Sequence, residues 1–250
     1  MTATAPVRST PWASALDHRV ARRLAAEQND RMLALLRSLG PADWARATDC
    51  PGWDVRAIGG HLLGALEMSS SLRQSLRQSR AATRQGGGVD ALTALQVREH
   101  AGLTVAELLA RFAALAPAAV RGRRRKAALL GRFAVPEEQV VGGERERWTF
   151  GFLFDVVLSR DAFMHRIDVC RAVGREPELT ADSEGVLVAD VVAEWAQRHG
   201  RSYRLGLTGP AGGRWGSAAG EEHELDAVEF CRLQSGRGSG EGLLAQQTAW

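Results

Sequence analysis

Apolar residues recur at helical spacing along most of this chain, and the two-residue alternation of a half-buried strand is confined to a short stretch near the C-terminus. Leu16, Val20 and Leu24, then Met32, Leu35, Leu36 and Leu39, mark a first helix between Trp12 and Leu39, which Gly40 and Pro41 stop. Turn chemistry follows at Cys50-Pro51-Gly52-Trp53, and Asp54 reads as the N-cap of a second helix through Val55, Ile58, His61, Leu62 and Leu66. Residues 69–88 are polar and end in consecutive glycines, which predicts a loop or a frayed helix end. Periodicity resumes at Val89, Leu92, Leu95 and Val97, and a further helix after Gly102 carries Val105, Leu108, Leu109, Phe112 and Leu115 as far as Pro117. Residues 131–143 read as loop. A fourth main helix runs from Thr149 to Val173 through Phe152, Leu153, Val156, Val157, Phe163, Met164 and Ile167, with Arg171 in its last turn and Gly174 closing it.

Beyond Pro177 the pattern changes. Ser183 to Arg198 is helical, Tyr203 to Thr208 alternates like a strand, and Gly209 to Gly213 is a turn leading to a partner strand at Arg214-Trp215-Gly216. Asp226 to Leu233 reads as a short helix and Leu243 to Trp250 as a returning strand. The expected architecture is mainly α: a four-helix bundle over residues 1–176, then a small α+β domain over residues 177–250.

With 45% hydrophobic and 24% charged residues, the chain has globular composition and enough length to bury a core. No apolar run approaches the roughly 18–20 residues needed to span a bilayer. Met1 to Pro6 lacks the basic and apolar parts of a secretory signal, so the expectation is a soluble cytoplasmic protein without a membrane partner. Lys126 is the single lysine, and the reliance on Arg, Ala and Gly fits a GC-rich, actinobacterial genome. The net charge of +3, with acidic residues spread throughout, argues against a nucleic-acid partner. The basic run from Arg121 to Lys126 accordingly reads as a solvated helix end. Cys50, Cys170 and Cys231 form no CxxC pair, and each reads as a buried small hydrophobe in a reducing compartment.

Asp161 and His165 stand four apart on a strongly periodic helix, about 6 Å along its axis and on one face. One helix can offer a metal two ligands at that spacing, although a surface ion pair or a satisfied buried histidine uses it too. Asp168 extends the face and could orient His165. A third donor must come from another helix, and His61, among Ile58, Leu62 and Leu66, is suited to point inward. Two imidazoles and a carboxylate leave an open position, the catalytic arrangement for zinc, and also suit non-haem iron. His18, His100, His199 and His223 read as surface residues, and Arg160 and Arg166 as structural ion-pairing partners on other faces of the helix. Trp53 and Trp148 read as packing anchors, Trp53 supporting the start of the second helix.

The stretch Thr48-Asp49-Cys50-Pro51-Gly52-Trp53-Asp54-Val55-Arg56, leading to His61, resembles the mycothiol-dependent maleylpyruvate isomerase family, a branch of the DinB-like superfamily. Arg160 to Val169, followed by Arg171-Ala172-Val173-Gly174-Arg175, resembles that family's second signature, and Leu39 to Trp44 and Ser235-Gly236-Arg237 extend the likeness. The resemblance implies a DinB-like four-helix bundle with a small C-terminal domain. It also implies a divalent metal, usually zinc, held by His61, Asp161 and His165. Arg237 resembles an arginine that helps hold the anionic substrate or thiol near the metal, a task suited to a planar, always charged guanidinium. The isomerase has Glu where this chain has Asp161, so its substrate does not carry over. The implied function is activation of mycothiol as cosubstrate for addition to an electrophile, as an isomerase or an S-transferase, in a monomer or homodimer. The alternative is a non-catalytic metal or small-molecule binding protein on the same bundle.

Overall fold

The computed structural model describes residues 10–217 and 219–250, so the stretch Met1 to Pro6 read above for a signal lies outside the described residues. Two compact units divide the chain: residues 1–139 with 145–176, and residues 140–144 with 177–250. No described helix is long and apolar enough to cross a membrane.

In the first unit, α1 (His18–Arg37) starts at Asp17, whose carboxylate accepts from the backbone of Arg19 and Val20. A 3-10 turn, Pro41–Ala45, buries Trp44. Helix α2 (Val55–Ser70) begins at the expected cap, Asp54, which accepts from Ala57 N at 2.8 Å. Ile58, Leu62, Leu63 and Leu66 of α2 enter one apolar cluster with Met32 and Leu36 of α1. Leu108 and Phe112 of α5 (Val105–Leu130) complete it.

Two segments differ from the sequence reading. Residues 72–83, expected as loop or frayed end, form α3 (Leu72–Thr83), which buries only Gln78 and Ala82. Its Gln78 is fully buried and donates to the Gly64 carbonyl of α2 at 3.1 Å, a bond that leaves no hydrophobic periodicity to read. After α4 (Gly88–His100), α5 continues straight through Pro117 and carries the basic run inside the helix. The proline costs about 3 kcal/mol in a helix interior, but the apolar burial of Leu108, Phe112 and Ala116 before it and of Ala119, Val120 and Ala127 after it outweighs that cost. Arg123 and Lys126 are therefore buried, not solvated.

A short ribbon of β1 (Gln139–Val141) and β2 (Glu144–Glu146) precedes the last helix of the bundle. That helix comprises α6 (Phe150–Phe152), a π turn at Leu153–Val157 and α7 (Leu158–Val173). The π turn holds an extra residue, rotating everything beyond it by about 100° relative to a regular helix. Buried Arg123 and Ser159 satisfy the carbonyls this loosens: Arg123 donates through Nε and Nη2 to Phe154 O, and Ser159 Oγ donates to Asp155 O. Gly174 adopts the left-handed conformation that ends α7, as its position after the last apolar residue predicts.

The second unit holds α8 (Glu184–His199), a sheet of order β4-β3-β5 and α9 (Ala227–Gln234). Central β3 (Tyr203–Thr208) pairs antiparallel with β4 (Gly213–Gly216), as the alternation and the glycine turn imply. Its other neighbour is β5 (Glu221–Asp226), in parallel register, and not the expected strand over residues 243–250. Charged β5 is held through opposite partners such as Arg204 and Glu222. The C-terminal segment instead gives its backbone bonds to helices: Leu243 O accepts from Trp195 Nε1, Ala249 N donates to Glu194, and Thr248 N donates to Gln234 O.

Candidate metal centre

Helix α2 contributes His61 and α7 contributes Asp161, His165 and Asp168. The loop before α2 closes over them. Cys50-Pro51-Gly52-Trp53 is a type II turn: Trp53 N donates to Cys50 O at 3.0 Å, and Gly52 takes the positive φ of 78° that this turn demands at its third residue. Thr48 Oγ1 locks the turn by accepting from Cys50 N and donating to Trp53 O. The indole of Trp53 lies 5.3 Å from the His61 ring and 5.8 Å from the His165 ring, covering both.

The three donors meet inside the bundle. His61 Nε2 is 3.4 Å from Asp161 Oδ2, and His165 Nε2 is 3.3 Å from Asp161 Oδ1. These distances exceed the usual N–H···O range of about 2.7–3.2 Å. They match the edge of a coordination tetrahedron, since donors about 2.0–2.1 Å from a cation lie about 3.3–3.4 Å apart. One ligand atom from each of the three residues lies within 4.8 Å of the others, close enough to share one ion. Asp161, although one methylene shorter than Glu, spans both imidazoles with its two oxygens.

Both tautomers are set from behind. Gln78 Nε2 donates to the Gly64 carbonyl, which can only accept, so Gln78 Oε1 accepts from Gln96 Nε2 at 2.9 Å. Gln96 Oε1 must then accept from His61 Nδ1 at 2.8 Å, leaving the lone pair of His61 on Nε2. Gly64 makes this possible, because a Cβ there would come within 2.5 Å of Gln96 Cγ. His165 Nδ1 likewise donates to Asp168 Oδ2 at 3.1 Å, and Asp168 is fully buried. Imidazoles oriented by an outer carboxylate or amide are typical of metal ligands.

Burial alone would push the Asp161 carboxyl up and the His165 imidazole down. Attraction among Asp161, His165 and His61 prevails, holding Asp161 well below the usual carboxylate range and His165 well above the usual imidazole range. Two imidazoles around one carboxylate thus invite a positive charge, which a divalent cation supplies on displacing the proton. The donor set fits such an ion.

The structure brings His61, Asp161 and His165 together with Asp168 as the partner of His165; Arg237 belongs to the second unit, in the turn after α9, where its N–H donates to Arg232 O. Several expectations are corrected. Cys50 is half-buried, not an inert core residue, and its Sγ lies 3.3 Å from Asp168 Oδ2. His100 is buried, with Nδ1 donating to Gln96 O and Nε2 3.3 Å from Glu67. Arg160 and Arg166, read as structural residues, are fully enclosed in the bundle, which does not correct that reading. Trp148 is the expected anchor, donating to Glu146 and packing on Phe152, and Trp53 packs against the core cluster as expected while also covering the donors. Gln78 and Gln96 were not legible, because an amide relay leaves no spacing signature.

A family model for the mycothiol maleylpyruvate isomerase N-terminal domain matches residues 24–170. Two solved structures are similar in fold: the mycothiol-dependent maleylpyruvate isomerase, at 16% identity, and a histidine-to-alanine mutant of it, at 15%. Each gives a TM-score of 0.54 over 89% of this chain and 90% of the other. Among curated proteins no match to the chain is found.

Proposed function

From a chain that belongs to the mycothiol maleylpyruvate isomerase N-terminal domain family, we infer an enzyme that activates a low-molecular-weight thiol, mycothiol by that membership, for addition to an electrophilic small molecule. The observation that carries this reading is the pair of buried imidazoles whose Nε2 atoms face one carboxylate at tetrahedral-edge spacing. His61, Asp161 and His165 would be the ligands of a divalent cation, and two nitrogens with one carboxylate suit catalytic zinc with a position left open. Bound there, the ion would supply a Lewis acid that keeps a thiol deprotonated at neutral pH, where a free thiol is mostly protonated.

The chain's own residues do the rest. Gln96 and Asp168 hold the two rings in the tautomer and orientation that ligation needs. Trp53 shields one side of the pair from water. Arg237 is assigned to an anionic end of the thiol or substrate on the strength of the family resemblance. Return of the thiol after rotation about a double bond makes the enzyme an isomerase; retention of the adduct makes it an S-transferase. Its partners are the thiol and the electrophile, in a reducing cytoplasm.

Elemental analysis of the wild type against His61→Ala and His165→Ala tests this. The expected result is about one divalent ion per chain in the wild type and loss of the ion in both variants, with thiol consumption across a panel of electrophiles lost in parallel. Metal content unchanged in folded variants overturns the ligand assignment. A metal-loaded wild type that consumes no thiol with any electrophile overturns the activity.

A further inference from the structure

The imidazole of His165 has a second nitrogen, and it faces another donor set. Cys50 Sγ, His165 Nδ1 and Asp168 Oδ2 form a closed triangle with edges of 3.3 Å between sulfur and carboxylate, 3.7 Å between sulfur and nitrogen, and 3.1 Å between nitrogen and carboxylate. A tetrahedral ion with one sulfur at about 2.3 Å and nitrogen and oxygen at about 2.0–2.1 Å needs edges of about 3.4–3.6 Å. The triangle is within a few tenths of an ångström of that on every side.

Orienting His165 for the first site requires only Asp168; it gives no reason for a thiol beside the same carboxylate. The thiol's position is nevertheless built. A type II turn locked by Thr48 Oγ1 fixes the Cys50 backbone, and Arg171 ties the loop to α7 by donating to Asp49 at 2.9 Å. Asp168 is fully buried, while Cys50 keeps some exposure to solvent. Thiolate, imidazole and carboxylate together select thiophilic divalent ions over hard ones.

We propose that Cys50, His165 and Asp168 form a second cation site, for zinc or cadmium, that competes with the first through the shared imidazole. On binding to the zinc-loaded protein, the sulfur–metal and Nδ1–metal bonds form as the Sγ and Nδ1 protons leave to solvent; the Nε2–zinc bond breaks as zinc departs, and Nε2 takes a proton from solvent that is held by a hydrogen bond to Asp161 Oδ1, 3.3 Å away. A neutral imidazole has one lone-pair nitrogen, so His165 in its neutral form serves one site at a time. The competition rests on the proposed ligand role of His165; occupation of the second site does not.

The test is a cadmium titration of the zinc-loaded protein, following the ultraviolet thiolate-to-cadmium charge-transfer band and released zinc. The expected wild-type result is a band saturating near one cadmium per chain, with zinc released in step. Cys50→Ser should abolish the band, and Asp168→Asn should weaken cadmium binding by at least about tenfold. His61→Ala, which dismantles only the first site, should keep the band. No band in the wild type, or one that survives Cys50→Ser through Cys170 or Cys231, overturns the site. A band with zinc retained in full overturns the competition alone. Failure of the proposed function shows separately, as zinc content indifferent to His61→Ala.

Discussion

Helix α2 has two buried sides built on opposite principles. Toward α1 and α5 it presents Ile58, Leu62, Leu63 and Leu66 to a cluster that includes Met32, Leu36, Leu108 and Phe112. Toward α4 and α7 it presents His61, whose hydrogen-bonding partners are Gln96, at the head of the Gln96–Gln78–Gly64 relay, and Asp161. The first side stabilises by area removed from water, a term without direction. The second contributes only about 0.5–1.5 kcal/mol per hydrogen bond, because each bond replaces one to water. What it adds is orientation. One side of α2 therefore holds the fold and the other holds the chemistry, so damage to each should be read by different measurements.

The strongest way to break that division is Phe112→Ala. Phe112 is 1% exposed, and its truncation should cost about 3–5 kcal/mol of unfolding free energy in a denaturant titration. Metal bound per folded chain should stay at the wild-type level. If metal affinity instead falls with stability, the two sides are one energetic unit and the division fails.

Lys126 sharpens the comparison, because it is a charge on the side that otherwise works by burial. Its ammonium donates to Met68 O and Ser75 Oγ, both at 2.6 Å, near the end of α2, and burial lowers its pKa from 10.5 to about 8. Below pH 8 the folded and unfolded chains both carry the proton, so folding bears the whole desolvation cost. Between pH 8 and 10.5 the unfolded chain binds the proton more tightly, so stability rises with pH across this window. Subtracting the pH profile of Lys126→Met from that of the wild type should isolate this rise. A flat difference profile would show that the amine is effectively solvated.

On the polar side, Gln96→Leu keeps volume but removes the acceptor that fixes His61. Loss of such a partner typically weakens metal binding by about 10–100-fold, or about 1.4–2.7 kcal/mol. Competition against a zinc chelator measures this. Unchanged affinity would mean that Asp161 alone orients His61 and that the relay serves packing.

The same contrast explains what the sequence disclosed. Burial repeats every three to four residues, so α1, α2, α5 and α7 could be read from their apolar residues, and the i, i+4 spacing of Asp161 and His165 put two donors on one face. The partnership of His61 with them came from the family signatures, since periodicity turns a histidine inward without saying what it meets. Directional contacts leave no period. Helix α3 was missed because Gln78, and not a leucine, anchors it. The burial of Arg123 was missed because its acceptor, Phe154 O, exists as a free carbonyl only through the π turn. Cys50 was misread because its neighbours, His165 and Asp168, lie more than a hundred residues away.

The smallest expected effect falls where the two sides of α2 share a support. Asp54 caps the helix for both, its carboxylate satisfying Ala57 N one turn before His61. Asp54→Ala should cost about 1 kcal/mol of stability, the usual value of an N-cap. Asn, whose amide oxygen can accept the same bond, should restore most of it. Metal affinity should move less than in Gln96→Leu, because His61 is still held from Gln96 behind and from Trp53 above. A loss of affinity as large as that of Gln96→Leu would mean that the first turn of α2 positions His61, and that the relay only follows it.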